Sequence, residues 1–165
     1  MIEAFDAIIG AEPKLLILGS APSVRSLAKS EYYGHERNAF WKIMDILYNK
    51  KRGFSDYEEK KQLLRNNGIA LWDVVRRCER KGSLDTAIRN VEPHAVEKLL
   101  QGQPTIVRVL FNGKTACSLY RKEVGYYPDI DFLVMPSTSP AYTLPFEEKL
   151  LLWQKGLNLG EKAER

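Results

Sequence analysis

Small, polar and basic residues directly follow four short apolar runs in the sequence. The runs are residues 14–18, 68–72, 105–111 and 131–135. The segments that follow them are residues 19–25, 73–77, 112–115 and 136–140. If the runs are strands of an open α/β sheet, these segments meet at its carboxyl edge, where ligand sites gather. Hydroxyls and backbone N–H groups of such loops can contact a phosphodiester chain, although each loop alone is typical of an ordinary connecting turn.

A fifth segment, residues 32–41, combines two adjacent tyrosines with a glycine, a histidine and an arginine. An aromatic side chain beside a basic loop can stack on a base that has left the duplex. Asn38 precedes an aromatic helix start, where it can either cap the helix or position a water molecule. Phe40 and Trp41 are expected in the core instead, because paired aromatics on a helix usually pack inward.

Helical patterns separate the apolar runs. They are residues 39–49, residues 56–65, a helix opened by Pro93 and ending near Gly102, residues 114–123, and a last helix opened by Pro145. Short apolar runs of this kind are typical of strands buried on both faces. Strands that alternate with helices predict an α/β chain with a mainly parallel sheet. Residues 160–165 are expected to form a frayed tail.

The composition limits the classes of function. The 165 residues are 44% hydrophobic and 28% charged, as in globular chains, and the net charge of +4 favours an acidic partner such as a phosphate backbone. Two cysteines, Cys78 and Cys117, cannot supply a disulfide framework, a structural zinc site or an iron–sulfur cluster. The sequence has no signal-peptide pattern and no apolar stretch near the roughly 18 residues of a membrane span. We therefore expect a cytoplasmic protein, or a nuclear one in a eukaryote, that contacts no membrane.

Five segments together resemble the uracil-DNA glycosylase superfamily, and most closely its hypoxanthine-DNA glycosylase branch. They are GSAPSVRSL (19–27), YYGHERNAFWKIM (32–44), LWDVVRRCERKGSLD (71–85), FNGKTA (111–116) and MPSTSPAY (135–142). No segment is decisive alone, but they occur in the family's order and span nearly the whole chain. The resemblance implies one domain over residues 1–165, with a three-layer α/β/α fold around a mainly parallel four-stranded sheet. It also implies a monomer that acts on DNA without a cofactor, a metal ion or an iron–sulfur cluster.

The resemblance places the catalytic group outside the family's first motif. That motif normally holds the attacking water with an Asn or Asp, but here Ala21 stands at this position beside Ser20, and both are expected near the base. Mismatch-specific relatives carry an Asn just before the helix start, and Asn38 matches it. The resemblance therefore implies Asn38 as the catalytic residue. Five residues earlier, Tyr33 matches an aromatic that stacks on the flipped base, with a packed core tyrosine as the alternative.

Asp73 stands where uracil-specific relatives carry an Asn that reads the base edge. An ionised carboxylate accepts hydrogen bonds, and hypoxanthine offers it an N1–H donor, whereas uracil would also present its O4 to a like charge. The replacement therefore favours hypoxanthine over uracil. Asp85 is expected to serve the same edge or to brace its loop. In the alternative interpretation, Asp73 caps a turn or pairs with Arg76 or Arg77.

The last motif resembles the family's minor-groove loop. Met135 replaces the His of uracil-specific enzymes, so a charged group that stabilises the departing base is missing there. Residues 140–142 are the candidate wedge that fills the gap left by the flipped base. The expected DNA-binding residues are Ser23, Arg25, Lys114, Ser137, Ser139, Pro140 and Tyr142. Lys114 begins a helix, where its charge and the free N–H groups suit a phosphate.

The implied reaction is hydrolysis of the N-glycosidic bond of a flipped deaminated base, which leaves an abasic site in DNA. Hypoxanthine is the expected base. No lysine is placed for a Schiff base, so a monofunctional glycosylase is expected. One alternative is a uracil-DNA glycosylase of the same superfamily, and another is a non-catalytic DNA-binding protein, which Ala21 and Met135 favour. A third is a hydrolase or transferase that acts on free nucleosides or nucleotides.

Overall fold

The computed structural model describes residues 1–160, which form strands, helices and short connecting loops. The strands are β1 (Ile2–Glu3), β2 (Leu15–Gly19), β3 (Ile69–Asp73), β4 (Val75–Glu79), β5 (Arg89–Pro93), β6 (Arg108–Asn112) and β7 (Asp131–Met135). The helices are α1 (Val24–Lys29), α2 (Phe40–Tyr48), α3 (Tyr57–Asn66), α4 (Val96–Gly102), α5 (Lys114–Glu123) and α6 (Phe146–Leu157). A 3-10 helix, Asp85–Ala87, lies between β4 and β5.

The four apolar runs form one parallel sheet with the strand order β3-β2-β6-β7. This arrangement confirms the predicted α/β class and the predicted parallel sheet. Every residue of the inner strand β2 is buried, because helices cover both faces of the sheet. The third run becomes a strand later than predicted, at Arg108, because Ile106 N–H closes a turn onto the carbonyl of Gln103.

Alternate residues of the sheet pack against two helical layers. On β2, Leu15 and Ile17 belong to a buried cluster that also contains residues of α2, α3 and α6. Leu16 and Leu18 belong to a second cluster with residues of α4 and α5. Successive side chains of a strand point to opposite faces, so the continuous apolar run of β2 serves both layers. The result is the predicted three-layer α/β/α arrangement.

The sequence does not reveal a second, antiparallel sheet with the order β1-β4-β5. Residues 74–77 are predicted as a loop, yet most of them belong to β4, whose valine and cysteine are buried while its charged residues are not. Pro93 is predicted to open a helix, yet it ends β5 opposite Val75, and α4 begins only at Val96. A proline can occupy the end of a strand because no backbone N–H is needed there. The pairing of β5 with β4 therefore decides that Pro93 belongs to a strand and not to a helix.

The other predicted helices form close to their expected positions. Asp56 precedes α3 and caps it, because its carboxylate accepts the N–H of Glu59 at 2.9 Å. The short helix α1 after Ser23 has no counterpart in the sequence prediction. Within residues 1–160, no helix is both long and apolar enough to span a membrane. Most of the predicted tail, from Glu161 onward, lies outside the described residues.

Candidate active site

A cavity of about 600 Å³ opens at the carboxyl ends of the parallel strands. Most of the predicted site residues line it, namely Ser20, Ala21, Ser23, Tyr33, Asn38, Asp73, Asp85, Lys114, Ser137, Ser139 and Tyr142. Arg25 and Pro140 do not line it. The guanidinium of Arg25, on α1, instead pairs with Glu36 at 2.9 Å on the surface. A DNA contact by Arg25 or Pro140 therefore stays a prediction for the surface outside the cavity.

Gly19, Tyr33 and Asp73 form one end of the cavity, which we call the floor. Asp73 is 2% exposed, and neither its Oδ2 nor the buried hydroxyl of Tyr33 has a hydrogen-bond partner among the described residues. Buried polar atoms without partners are costly, so these two mark a place for the polar groups of a ligand. Gly19 keeps the floor open, because a Cβ there would lie 2.5 Å from Asp73 Oδ1 and 2.9 Å from the Tyr33 hydroxyl.

The carboxyl group of Asp73 is held partly protonated at neutral pH. Burial is the main cause, and the negative charge of Asp85 adds to it, so the pKa of Asp73 rises from 3.8 to about 7, while Arg80 acts in the opposite direction. The sequence interpretation treats this group as ionised. In the folded chain the neutral form is populated as well, and it can donate one hydrogen bond while its carbonyl oxygen accepts another.

The backbone of Asp73 is fixed from behind by His94. The Nδ1 of His94 lies 2.8 Å from the carbonyl oxygen of Asp73, which is an acceptor, so this nitrogen carries a proton. Burial lowers the pKa of His94, which favours the neutral ring. The ring also stacks on Trp72, with 4.3 Å between the ring centroids. The alternative pairing of Asp73 with Arg76 or Arg77 does not occur, because both arginines reach glutamates instead.

Tyr33 presents its side chain to the cavity from a strained backbone. Its φ of 53° lies in the left-handed region, which is uncommon for a bulky residue and costs on the order of 1–3 kcal/mol. The ring contacts Phe40 with 4.4 Å between centroids, and burial raises the pKa of the hydroxyl. Strain that persists in a packed site is typical of a functional residue. Stacking of Tyr33 on a base stays a prediction.

Asn38 lies just before the start of α2 and lines the cavity. Its Oδ1 accepts the N–H of Phe40 at 3.0 Å, but the N-cap of α2 is Ala39, so Asn38 contacts the first turn without occupying the capping position. Its amide nitrogen has no hydrogen-bond partner in the part of the chain that the structure describes. The next residue, Ala39, donates its N–H to the carbonyl of Thr138 at 2.9 Å, which ties the start of α2 to the loop after β7.

Asn112, at the end of β6, was not among the predicted site residues. Its Oδ1 accepts the N–H of Thr138 and its Nδ2 donates to the hydroxyl of the same residue, both at 2.9 Å. Asn112 therefore locks the loop after β7 against the end of the neighbouring strand. The signal in the sequence was a carboxamide directly after an apolar run, the position at which Asp73 was recognised on the second run.

The loop after β7, residues 136–142, is also fastened to α6. The Nζ of Lys149 donates to the carbonyl of Ser139 at 3.0 Å and lies 5.4 Å from the ring centre of Tyr142. The indole N–H of Trp153 donates to the carbonyl of Pro136 at 2.9 Å. Tyr142 itself is 45% exposed at the mouth of the cavity, and its role as a wedge stays a prediction.

A loop from the antiparallel sheet forms the opposite side of the mouth. We call residues 80–87 the 80–87 loop. Arg80 Nη2 donates to the carbonyl of Pro22 at 2.6 Å, and Val24 N–H donates to the hydroxyl of Ser83 at 2.9 Å. Ser20 adds a third contact, because its hydroxyl donates to Asp85 Oδ1 at 2.8 Å. These contacts hold the 80–87 loop against the loop that follows β2.

Comparisons with known proteins agree on one family. A family profile described as the Uracil DNA glycosylase superfamily matches residues 8–157. A relative from Methanosarcina barkeri, named hypoxanthine DNA glycosylase, is 35% identical over 156 residues, which are 94% of this chain and 87% of that protein. A relative of the same name from Methanosarcina acetivorans is 33% identical over 139 residues, covering 83% and 85% of the two chains. The solution NMR structure of a candidate uracil DNA glycosylase from Methanosarcina acetivorans superposes with a TM-score of 0.77 at 30% identity, covering 94% of this chain and 95% of that one.

Proposed function

The chain belongs to the uracil DNA glycosylase superfamily, and we propose that this DNA glycosylase removes hypoxanthine from DNA. Enzymes of this kind hydrolyse the N-glycosyl bond between a flipped base and its deoxyribose and leave an abasic site, the first step of base-excision repair. The names of the two Methanosarcina relatives support hypoxanthine as the base. The cavity of about 600 Å³ leaves room for a purine and its sugar.

The observation that carries this proposal is the buried Oδ2 of Asp73 on the floor, which has no hydrogen-bond partner within residues 1–160. Hypoxanthine has an N1–H donor next to its O6 acceptor. A neutral carboxylic acid offers the matching pair, a carbonyl acceptor and an O–H donor, so one side chain satisfies both atoms of this edge. The match fills the vacant hydrogen-bonding capacity of Asp73 and requires no ionised group against O6.

The other predicted residues receive roles that fit their positions. Tyr33 stacks on the flipped base, and the free amide N–H groups of Asn38 orient the attacking water. Lys114 at the start of α5 and the hydroxyls of the loop after β7 hold DNA phosphates. Exposed Tyr142 fills the space that the flipped base leaves. The neutral acid of Asp73 can pass its proton to the departing base, which replaces the missing His at Met135.

The experiment that tests the function is excision from labelled DNA that contains deoxyinosine, deoxyuridine or deoxyxanthosine, developed with alkali to cut abasic sites. We expect cutting at deoxyinosine, and only after alkali, because a monofunctional glycosylase leaves the strand intact. Cutting mainly at deoxyuridine would keep the glycosylase and overturn the choice of base. Bound but uncut DNA with every lesion would favour the non-catalytic alternative.

Uracil is the second candidate, because a neutral Asp73 also matches its N3–H and O4. The structural similarity to a candidate uracil DNA glycosylase supports it. The deoxyuridine arm of the same experiment separates the two bases.

Replacing Gly19 with alanine is expected to weaken recognition of the target base. The added methyl group overlaps Asp73 Oδ1 and the Tyr33 hydroxyl, and overpacking of about 1–3 kcal/mol corresponds to roughly tenfold or more in affinity. The measurement is binding of DNA with a non-cleavable deoxyinosine analogue, compared with unmodified DNA. Gly102→Ala is the control, because a Cβ there meets nothing within 4 Å. An equal loss on both DNAs would contradict a role in base recognition.

A further inference from the structure

Attack of water on C1′ is accelerated by a group that accepts its proton, and the roles assigned so far include none. The carboxamide of Asn38 can orient water, but an amide is not a base in the pH range of proteins. Ala21 offers no polar atom at the position where related enzymes hold the water. Asp73 lies buried on the floor, where in the proposed function its carboxyl proton is donated to the flipped nucleobase. A proton acceptor for water is needed only if the chain is the hydrolase proposed above, and the inference below rests on that function.

Asp85 has the chemistry and the position that the acceptor needs. Within residues 1–160, the cavity lining contains two acidic side chains, Asp73 and Asp85. They differ in environment, because Asp73 is buried in the floor whereas Asp85 is exposed at the mouth. The hydroxyl of Ser20 donates to Asp85 Oδ1 at 2.8 Å, which fixes the carboxylate and leaves Oδ2 to accept from water.

Tertiary structure brings this carboxylate to the place where the first motif lacks one. Ser20, which binds Asp85, directly precedes Ala21 in the loop after β2. Ala21 in turn packs in the same cluster as Ile88, three residues beyond Asp85. The contacts of Arg80 with Pro22 and of Ser83 with Val24 hold the 80–87 loop at this place. A neighbouring loop thus supplies the acidic group that Ala21 cannot.

We infer that the Asp85 carboxylate accepts a proton from the water that attacks C1′ of the flipped nucleotide. The water loses one proton to Asp85 Oδ2 while its oxygen forms a bond to C1′. The N-glycosidic bond breaks, and its electron pair leaves with hypoxanthine, which takes a proton from neutral Asp73 or from solvent. Exchange with solvent then restores both carboxyl groups. The negative charge of Asp85 also stabilises the oxocarbenium-like sugar as it forms.

The test is single-turnover excision of hypoxanthine by Asp85→Asn. We expect a loss of roughly 100-fold, the usual effect of removing a general base. Binding of DNA with a non-cleavable deoxyinosine analogue should be as tight as in the wild type or tighter, because a negative charge near the phosphates is removed. Asp129→Asn, which removes an equal charge just before β7 at the opposite end of the sheet, should retain wild-type excision.

A second variant tests the contact that holds the carboxylate. Ser20→Ala removes the hydrogen bond to Asp85 but leaves the carboxylate, so we expect a smaller loss of excision than in Asp85→Asn. This ordering would not follow if the 80–87 loop had only a structural role.

The outcomes separate this inference from the proposed function. If the wild type excises hypoxanthine and Asp85→Asn excises it equally fast, the inference is wrong and the function stands. If excision and binding of the analogue fall together, Asp85 binds the base, as the sequence suggested, and does not serve as the proton acceptor. If the wild type excises no base from any DNA, the proposed function itself fails. Comparison of thermal unfolding between the variants identifies a folding defect.

Discussion

Asn38→Ala is expected to lower single-turnover excision of hypoxanthine by about 100- to 1000-fold, the usual effect of removing one preorganised hydrogen-bonding group from an active site. The amide nitrogen of Asn38 has no hydrogen-bond partner within residues 1–160, and the residue lines the cavity, so its N–H groups are available to the attacking water. The same variant also loses the hydrogen bond from Phe40 N–H to Asn38 Oδ1, which should lower the free energy of unfolding by about 1 kcal/mol.

Asn38→Ser separates these two effects. A serine hydroxyl can still accept the N–H of Phe40, but it does not carry the amide. We therefore expect Asn38→Ser to unfold near the wild-type temperature and yet to excise hypoxanthine as poorly as Asn38→Ala. Wild-type excision by either variant would remove Asn38 from the catalytic machinery and leave it only the hydrogen bond with the start of α2.

The second large effect is expected from Asp73→Asn. Below pH 7 the neutral acid dominates in the wild type, because the pKa of Asp73 is about 7. If that form protonates the departing base, wild-type excision falls as the pH rises through 7. An asparagine can still pair with the lactam edge, but it has no proton to give away. We therefore expect Asp73→Asn to excise roughly 100-fold more slowly below pH 7 and to lose the alkaline limb.

The same variant should change how stability depends on pH. A raised pKa in the folded chain means that the contribution of Asp73 to stability is fully present below pH 3.8 and is lost as the pH rises through about 7. The loss is on the order of 4 kcal/mol. Asparagine does not ionise, so Asp73→Asn should gain stability relative to the wild type as the pH rises through this window.

The measurements are excision and thermal unfolding of both proteins from acid to mildly alkaline pH. Excision that rises through pH 7 in the wild type would mean that ionised Asp73 accepts N1–H, the interpretation made from the sequence. A stability difference that does not change with pH would contradict the raised pKa itself.

The parallel sheet could be predicted because its strands carry their own signal. Strand β2 has the sequence LLILG, and every one of these residues is buried in the structure. Strand β5 carries no such signal, since its sequence RNVEP is polar and mostly exposed, and it exists because β4 lies beside it. Local pattern therefore identified the elements that make the core, and it missed those that depend on a distant partner.

In the candidate site, too, local sequence identifies some features, and others depend on distant contacts. The positions of Asp73 after a strand and of Asn38 before a helix can be read from the sequence, and the resemblance to the glycosylase superfamily supplied their expected roles. The environment of Asp73 could not be read, because its pKa depends on burial and on Asp85. The contact between Ser20 and Asp85 joins residues 65 positions apart, and no spacing in the sequence predicts it.

The two ends of the cavity belong to different sheets. The floor stands on β2 and β3 of the parallel sheet, whereas the 80–87 loop belongs to the β4–β5 hairpin of the antiparallel sheet. Because the hairpin contributes little to the main core, substitutions or changes of length in this loop leave the packing of the parallel sheet largely untouched. The length and the other residues of this loop can therefore change without disturbing the packing of the floor, whereas Asp85 must stay because its charge acts on Asp73.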